Sequence, residues 1–491
     1  MTRKAMLIIS LVLIVVINFS AVPALAAPSQ TVSAQSNVPR FERHSACTFP
    51  VAQSLVTARR VTCGYVVVPE LHNQPNGKTL RLAVVVYKNY AAQSPGDAIV
   101  LLQGGPGGSS DVFADMLNYT NLRHTFAANR DVIVFDQRGV GHSQPALTCP
   151  PSSQTALSCA RTLQSQGINL AAYNTAEDAA DVNDIRIALG YNKLDVYGVS
   201  YGTLLAQVLM RDHPEAIRDV VLDSVVPLGV DPDLGAPSAF SQALTNLFAA
   251  CAANRACNAT YPDLHGVFSR LVARLNSRAI RVRTTDPANG KTVTLPVDGN
   301  TLVGILHEGM YYSGELGALP KLLYQVYNGN YTLLSQILAD NIATNESVSD
   351  PVYYAVECSD MVRTLTPPQI HASVSGVLPE IATAESSLVS DSQDVCRNWP
   401  ATNFNRPPLT SLHSNLPTLV LGADFDPVTP PAYSRAVQAN LSHSYYVELP
   451  ADAHASAVSE SCAFGLMLRF LNNPTAPDAS CAASQQVQFA Y

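Results

Sequence analysis

Short apolar runs of strand length alternate with stretches of helical periodicity through most of this chain, and that alternation constrains the fold most strongly. "AIVLLQ" (98–103), "DVIVFD" (131–136), "KLDVYG" (193–198) and "IRDVVLDSVV" (217–226) read as strands. Between the second and third, "TAEDAADVNDIRIALG" (175–190) reads as a helix, with Asn174 or Thr175 as N-cap, acids in the first turns and Gly190 at the end. Runs that are apolar throughout need cover on both faces, so a mostly parallel sheet with helices on both sides is expected. "CGYVVVPE" (63–70) and "LRLAVVVYKN" (80–89) read as a preceding hairpin. The pattern changes after residue 230, where "SAFSQALTNLFAACAA", "LHGVFSRLVARLN" and "LPKLLYQVYN" carry helical periodicity. It resumes with "LPTLVLG" (416–422), "SYYVELP" (444–450) and a last helix, "SCAFGLMLRFLNN" (461–473). The expected organisation is one α/β core, residues 41–230 and 408–491, interrupted by a large, mostly helical cap insertion at 231–407.

The first residues stand apart from this fold. Arg3 and Lys4 precede an apolar run from Ala5 to Phe19, and Ala24-Leu25-Ala26 is a small-residue cleavage pattern. Residues 1–26 therefore read as a secretory signal peptide, and the Ser/Gln/Pro-rich stretch 27–40 as a flexible leader. No later stretch is apolar enough to span a bilayer, so no stable membrane insertion is expected after cleavage. All ten cysteines follow the signal segment, and an even count there implies disulfides in an oxidising compartment. Sequential pairing is the simplest framework (47 with 63, 149 with 159, 251 with 257, 358 with 396, 462 with 481), although spacing alone does not fix connectivity. Cys-x-x-Cys is absent, which argues against zinc ribbons and redox motifs, and no metal or cofactor is expected. The formal charge of −8 becomes −10 once Arg3 and Lys4 leave with the signal. An acidic chain with 14 % charged residues is a poor partner for nucleic acid.

The chemistry centres on Gly198-Val199-Ser200-Tyr201-Gly202, a G-x-S-x-G pattern between an expected strand and an expected helix. Glycines there permit a tight bend that lifts a serine hydroxyl above the sheet edge, over the positive end of a helix. Serine is a weak nucleophile and needs a base oriented by a carboxylate. In such sheets the order is Ser, then Asp or Glu, then His. Asp424 and Asp426 compete in the loop after "TLVLG". His443 precedes the strand "SYYVELP" and so lies at the wrong end of the sheet, whereas His454 follows it and lies at the same edge as Ser200. The glycines of "LLQGGPGGSS" (101–110) let main-chain N–H groups approach a substrate, and Tyr201 and Gly105 are the expected oxyanion donors. A phosphate loop is the rival use of these glycines, but no Gly-Lys-Ser/Thr follows them.

Taken in order, "GGPGGSS", "FDQRGVGHS" (135–143), "GVSYGT" (198–203) and "DFDPVTP" (424–430) resemble the tripeptidyl aminopeptidase-like and proline iminopeptidase-like branch of the α/β-hydrolases. The C-terminal "SCAFGLMLRFLNN…DASC" is similar to the closing segment of the secreted tripeptidyl members. The resemblance implies an α/β-hydrolase fold and a secreted serine peptidase acting near free N-termini, with peptides as substrates. It places the catalytic acid four residues before a proline, which selects Asp426 (with Pro430) over Asp424 and leaves Ser200, Asp426 and His454 as the triad. Asp136 and Arg138 in "DQRG" would be scaffold residues. Cap acids hold the substrate amine in such aminopeptidases. Glu357 and Asp360 in "AVECSDM", or Glu308 and Glu315 in "HEGMYYSGEL", are the candidates. Two positions depart from the pattern: Gln103 stands where iminopeptidases carry His, and "DAHAS" replaces a glycine-flanked histidine. An esterase with the same triad, or a binding protein on an inactive hydrolase fold, are the alternatives.

Overall fold

In the computed structural model, nine strands form one sheet among the described residues, in the order β1-β2-β3-β5-β4-β6-β7-β10-β11. The described residues are 38–91, 96–150, 153–344, 348–361, 366–400, 410 and 412–491, so the signal segment and most of the leader lie outside them. β1 (Arg40–His44), β2 (Val61–Pro69) and β3 (Thr79–Tyr87) form an antiparallel meander. β3 joins β5 (Asp131–Phe135) antiparallel. From β5 onward all neighbours are parallel: β4 (Ala98–Leu102), β6 (Leu194–Val199), β7 (Ile217–Asp223), β10 (Thr418–Ala423) and β11 (Ser444–Leu449).

Burial on both faces explains the unbroken apolar runs. Along β4, Ala98, Val100 and Leu102 enter one apolar layer, and Ile99 and Leu101 enter the other. The helix Thr175–Leu189 forms as its sequence implies: the Asn174 side chain caps its start by accepting from Glu177 N, and Gly190 ends it in the left-handed region. The chain runs from β4 to β5 on one side and then to β6 on the other, so strand order reverses around β4. A crevice opens at the carboxyl ends of strands at such a reversal. The Gly-rich loop after β4 and the Ser200 bend after β6 both lie there.

The insertion builds its own apolar cluster from helices that include Pro232–Ala253, Leu264–Ser277, Gly299–Gly309 and Pro379–Arg397. It also holds a hairpin that helical periodicity did not suggest, β8 (Ile280–Thr285) and β9 (Thr292–Val297). Its signal was present in the alternation of "RVRTT", where Val282 and Thr284 are buried between exposed arginines and threonine. Two core residues, Phe425 and Ala453, are buried in the cap cluster. Conversely, Val352, Ala355, Cys358 and Trp399 of the insertion pack into a layer of the sheet domain. The five bridges are Cys47–Cys63, Cys149–Cys159, Cys251–Cys257, Cys358–Cys396 and Cys462–Cys481, the sequential framework. No described helix is long and apolar enough to cross a membrane.

Gly202 lets the helix after Ser200 press onto β4, since a Cβ there would sit 2.1 Å from Leu102 O. A main-chain carbonyl inside a parallel sheet has little room to retreat. Gly202→Ala is therefore expected to cost about 1–3 kcal/mol, read as a lowered urea midpoint.

Candidate active site

The Ser200 bend is strained. Its φ of 56° and ψ of −127° place an L-residue outside the comfortable regions, as at a nucleophile elbow. The flanking glycines make the bend possible, because a Cβ on Gly198 would lie 2.4 Å from Gly202 O. Gly104, across the crevice, would place a Cβ 2.7 Å from that of Ser200. Ser200 N donates to Asp223 O at 3.0 Å, which fastens the bend to the end of β7. Tyr201 begins the helix Tyr201–Asp212, so its N–H is one of the donors a helix cannot satisfy internally. Its side chain is buried, and the hydroxyl reaches Thr175 Oγ1 and Asp178 Oδ2, each at 3.1 Å.

The same end of β7 holds the histidine loop. Ala455 N donates to Ser224 Oγ (2.9 Å), and Ala457 N donates to the Asp223 carboxylate (2.8 Å), which also accepts from the Tyr197 hydroxyl (2.9 Å). Ala455 itself takes φ +61°, in the left-handed region that favours glycine. His454 Nδ1 lies 2.8 Å from Asp426 Oδ2, and both side chains are buried. Thr429 completes the acid's shell: its hydroxyl donates to Oδ2 (2.6 Å), its N–H donates to Oδ1 (2.8 Å), and Val428 N adds another bond at 2.9 Å. Asp424, the rival acid, lies beside Glu448 instead. Burial and that neighbour push its carboxyl up to about 6. Among the described residues no hydrogen bond joins Ser200 to His454. Catalytic contacts in unliganded enzymes are commonly long and tighten when substrate binds.

The electrostatics favour a charged pair. Burial alone would lower the His454 pKa, but the charge and hydrogen bond of Asp426, with Asp223 behind, raise it above its ordinary value. Burial would raise Asp426, but His454 and the Thr429 bonds hold it below the usual carboxylate range. In the Gly-rich loop Gly104 N donates to Gln103 Oε1 (3.1 Å), and the next residue, exposed Gly105 at φ +120°, is the loop's candidate oxyanion donor. Gln103, the departure from histidine, thus shapes the loop. Gln137 Nε2 steadies it further through Gln103 O at 2.8 Å. The arrangement suits attack by a serine oxygen on an acyl carbon, with a histidine to move the proton.

A family model described as the alpha/beta hydrolase fold matches residues 97–460. The chain is an α/β-hydrolase. Serine protease Hip1 of Mycobacterium tuberculosis is 25% identical over 422 residues, covering 75% of this chain and 76% of that protein. The tripeptidyl aminopeptidase of Streptomyces lividans is 36% identical over 191 residues, 34% of this chain and 35% of its own. The putative hydrolase YuaR of Escherichia coli is 25% identical over 461 residues, 86% and 88% of the two chains. These matches make this α/β-hydrolase a serine hydrolase.

The cap acids are placed unevenly in this hydrolase. Asp360, half-buried, accepts from Thr175 N at 2.6 Å through Oδ2, at the start of a helix. Glu357 is buried, 3 % exposed, in the π-helical turn Glu357–Met361 beside the Cys358–Cys396 bridge. Glu308 and Glu315 are exposed, on either side of a turn that touches the histidine loop. There the Tyr311 ring meets the His454 ring edge-on (centroids 5.0 Å), and Ser313 Oγ accepts from Ala453 N at 2.8 Å. His307 meets the Tyr311 ring edge-on from behind, and burial lowers its pKa to about 4, so it stays neutral beside Asp426 and His454. Sequence reasoning overlooked Thr429, Asp223, Tyr311 and His307. Only Thr429 left a trace, in the D-x-x-T-P spacing that picked out Asp426. Asp136 and Arg138 are scaffold: Asp136 accepts from Ser110 N and His142 N (both 2.8 Å), and Arg138 grips Asp181 with two bonds. Among the described residues no group of three or more His, Cys, Asp or Glu is disposed to hold a metal ion.

Because Asp426 raises the His454 pKa, activity should rise with pH as the imidazolium loses its proton, with a midpoint above the ordinary histidine value of about 6.5. Asp426→Asn removes the raising charge and leaves the lowering burial. The kcat/KM profile should shift its acid limb downward, with a loss of about 10⁴-fold in kcat.

Proposed function

We propose that this chain is an exported serine aminopeptidase that cleaves peptide bonds near a free N-terminus. The observation that carries the reading is the buried Asp426/His454 pair set at the same sheet edge as a serine on a strained bend. In the proposed reaction His454 takes the Ser200 proton as the oxygen attacks a peptide carbonyl. Asp426 holds the imidazole and balances its charge, and the N–H groups of Tyr201 and Gly105 receive the oxyanion. Each such donor is worth about 3 kcal/mol of barrier. His454 then protonates the leaving amine, and water releases the acyl-enzyme by the same route in reverse.

Support for peptides over esters comes from relatives named serine protease and tripeptidyl aminopeptidase. Of the four acids considered for a substrate ammonium, Glu308 and Glu315 are the exposed ones beside the His454 loop. Asp360 is occupied at a helix start. Export is supported by five disulfides, which persist in oxidising compartments.

The expected behaviour is turnover of free-amine peptide amides, loss of that turnover when the amine is acetylated, and slower turnover of short acyl esters. Ser200→Ala should abolish all of it with the fold retained. Equal rates on free and acetylated peptides would reject the aminopeptidase reading, and undiminished turnover in Ser200→Ala would reject the triad.

A further inference from the structure

After the Cys462–Cys481 bridge the chain leaves the sheet domain and runs extended across the insertion. The segment alternates: Val487 and Phe489 pack on the cap's apolar cluster, and Gln486 and Gln488 face out. Its first residue stays with the histidine loop, where Gln485 Nε2 donates to Asp452 Oδ1 at 3.2 Å. Its last residues are tied to the cap. Ala490 N donates to Gly317 O, the Tyr261 hydroxyl donates to Ala490 O, and Lys321 Nζ donates to Tyr491 O, each at 2.9 Å. Gly317 is shaped for this contact. A Cβ there would lie 1.8 Å from Gln488 O, and its next nearest neighbours are also atoms of the segment.

The part of the cap under this segment is the part that meets His454. Ser313 and Gly317 share one 3-10 turn, Ser313–Ala318, and Ser313 Oγ holds Ala453 N. Tyr311, just before that turn, packs on the His454 ring. Ala453 and Phe425, each next to a proposed triad residue, are buried in the same cluster that receives Val487 and Phe489.

We infer that residues 485–491 are a strap that presses the cap turn onto the histidine loop, making them positioning residues for His454. The strap starts at the histidine loop and ends on the cap, so it closes a non-covalent ring around the contact between them. The inference rests on the Ser200, Asp426, His454 assignment and is independent of peptide preference.

Labelling of the full chain by a fluorophosphonate probe reads the reactivity of Ser200 without any peptide. Two variants test the strap: a chain ended after Gln485, and Gly317→Ala, whose added methyl displaces Gln488 and meets nothing else closer. Both should keep a native near-ultraviolet dichroism spectrum at 25 °C and label about tenfold or more slowly, as expected when a catalytic group shifts by a fraction of an ångström. A folded variant that labels within about twofold of the wild type, even with a lowered Tm, overturns the strap and leaves the segment as mere packing. If the shortened chain does not fold, Gly317→Ala and Tyr261→Phe, which keep the chain length, carry the test by the same readout. A wild-type chain that is not labelled at Ser200 rejects the triad instead.

Discussion

The Asp223 side chain and main chain together hold the two halves of the proposed active site in one frame. The main-chain oxygen fixes the serine bend, and the carboxylate fixes the loop that follows His454. Each adopts a backbone conformation that L-residues avoid, at Ser200 and Ala455, each just before a helix. Such conformations persist only where the surroundings over-determine them. Burial within the sheet pushes the Asp223 carboxyl up to about 6, and its two donors counter that push, so the anchor depends on keeping Tyr197 and Ala457 in place. The end of β7 is thus the reference point from which both loops take their bearings.

The cap is part of this frame. Tyr311 and Ser313 touch the histidine loop, and the segment 348–353 rests on the Gly-rich loop, with Ser349 N donating to Gly107 O at 2.9 Å. Gly107 is open for that approach, since a Cβ would lie 2.8 Å from Ser349 O. The insertion therefore touches both the histidine loop and the Gly-rich loop.

The sheet was legible because short, β-branched apolar runs bounded by turn residues and alternating with helical patterns suit buried parallel strands, and the Ser200 bend was legible because two glycines flank a serine between a strand and a helix. Asp426 could be separated from Asp424 only through the proline spacing of related chains. The hydrogen bonds that decide the matter run to Thr429 and to a histidine 28 residues away. The cap acids were illegible for a different reason. A carboxylate's role depends on what faces it, and Asp360 faces the start of a helix distant in sequence. The β8–β9 hairpin was masked by stronger helical periodicity on both sides. Tyr311 and His307 carry no pattern at all, because their position follows from how the insertion folds back.

The five sulfur bridges each close a short stretch of chain, the longest spanning 38 residues. None joins a residue of 231–407 to a residue outside it. Oxidation therefore hardens each layer separately and leaves the seam between them free of covalent stitches. A displacement of the insertion against the sheet would therefore break side-chain contacts and hydrogen bonds but no cystine.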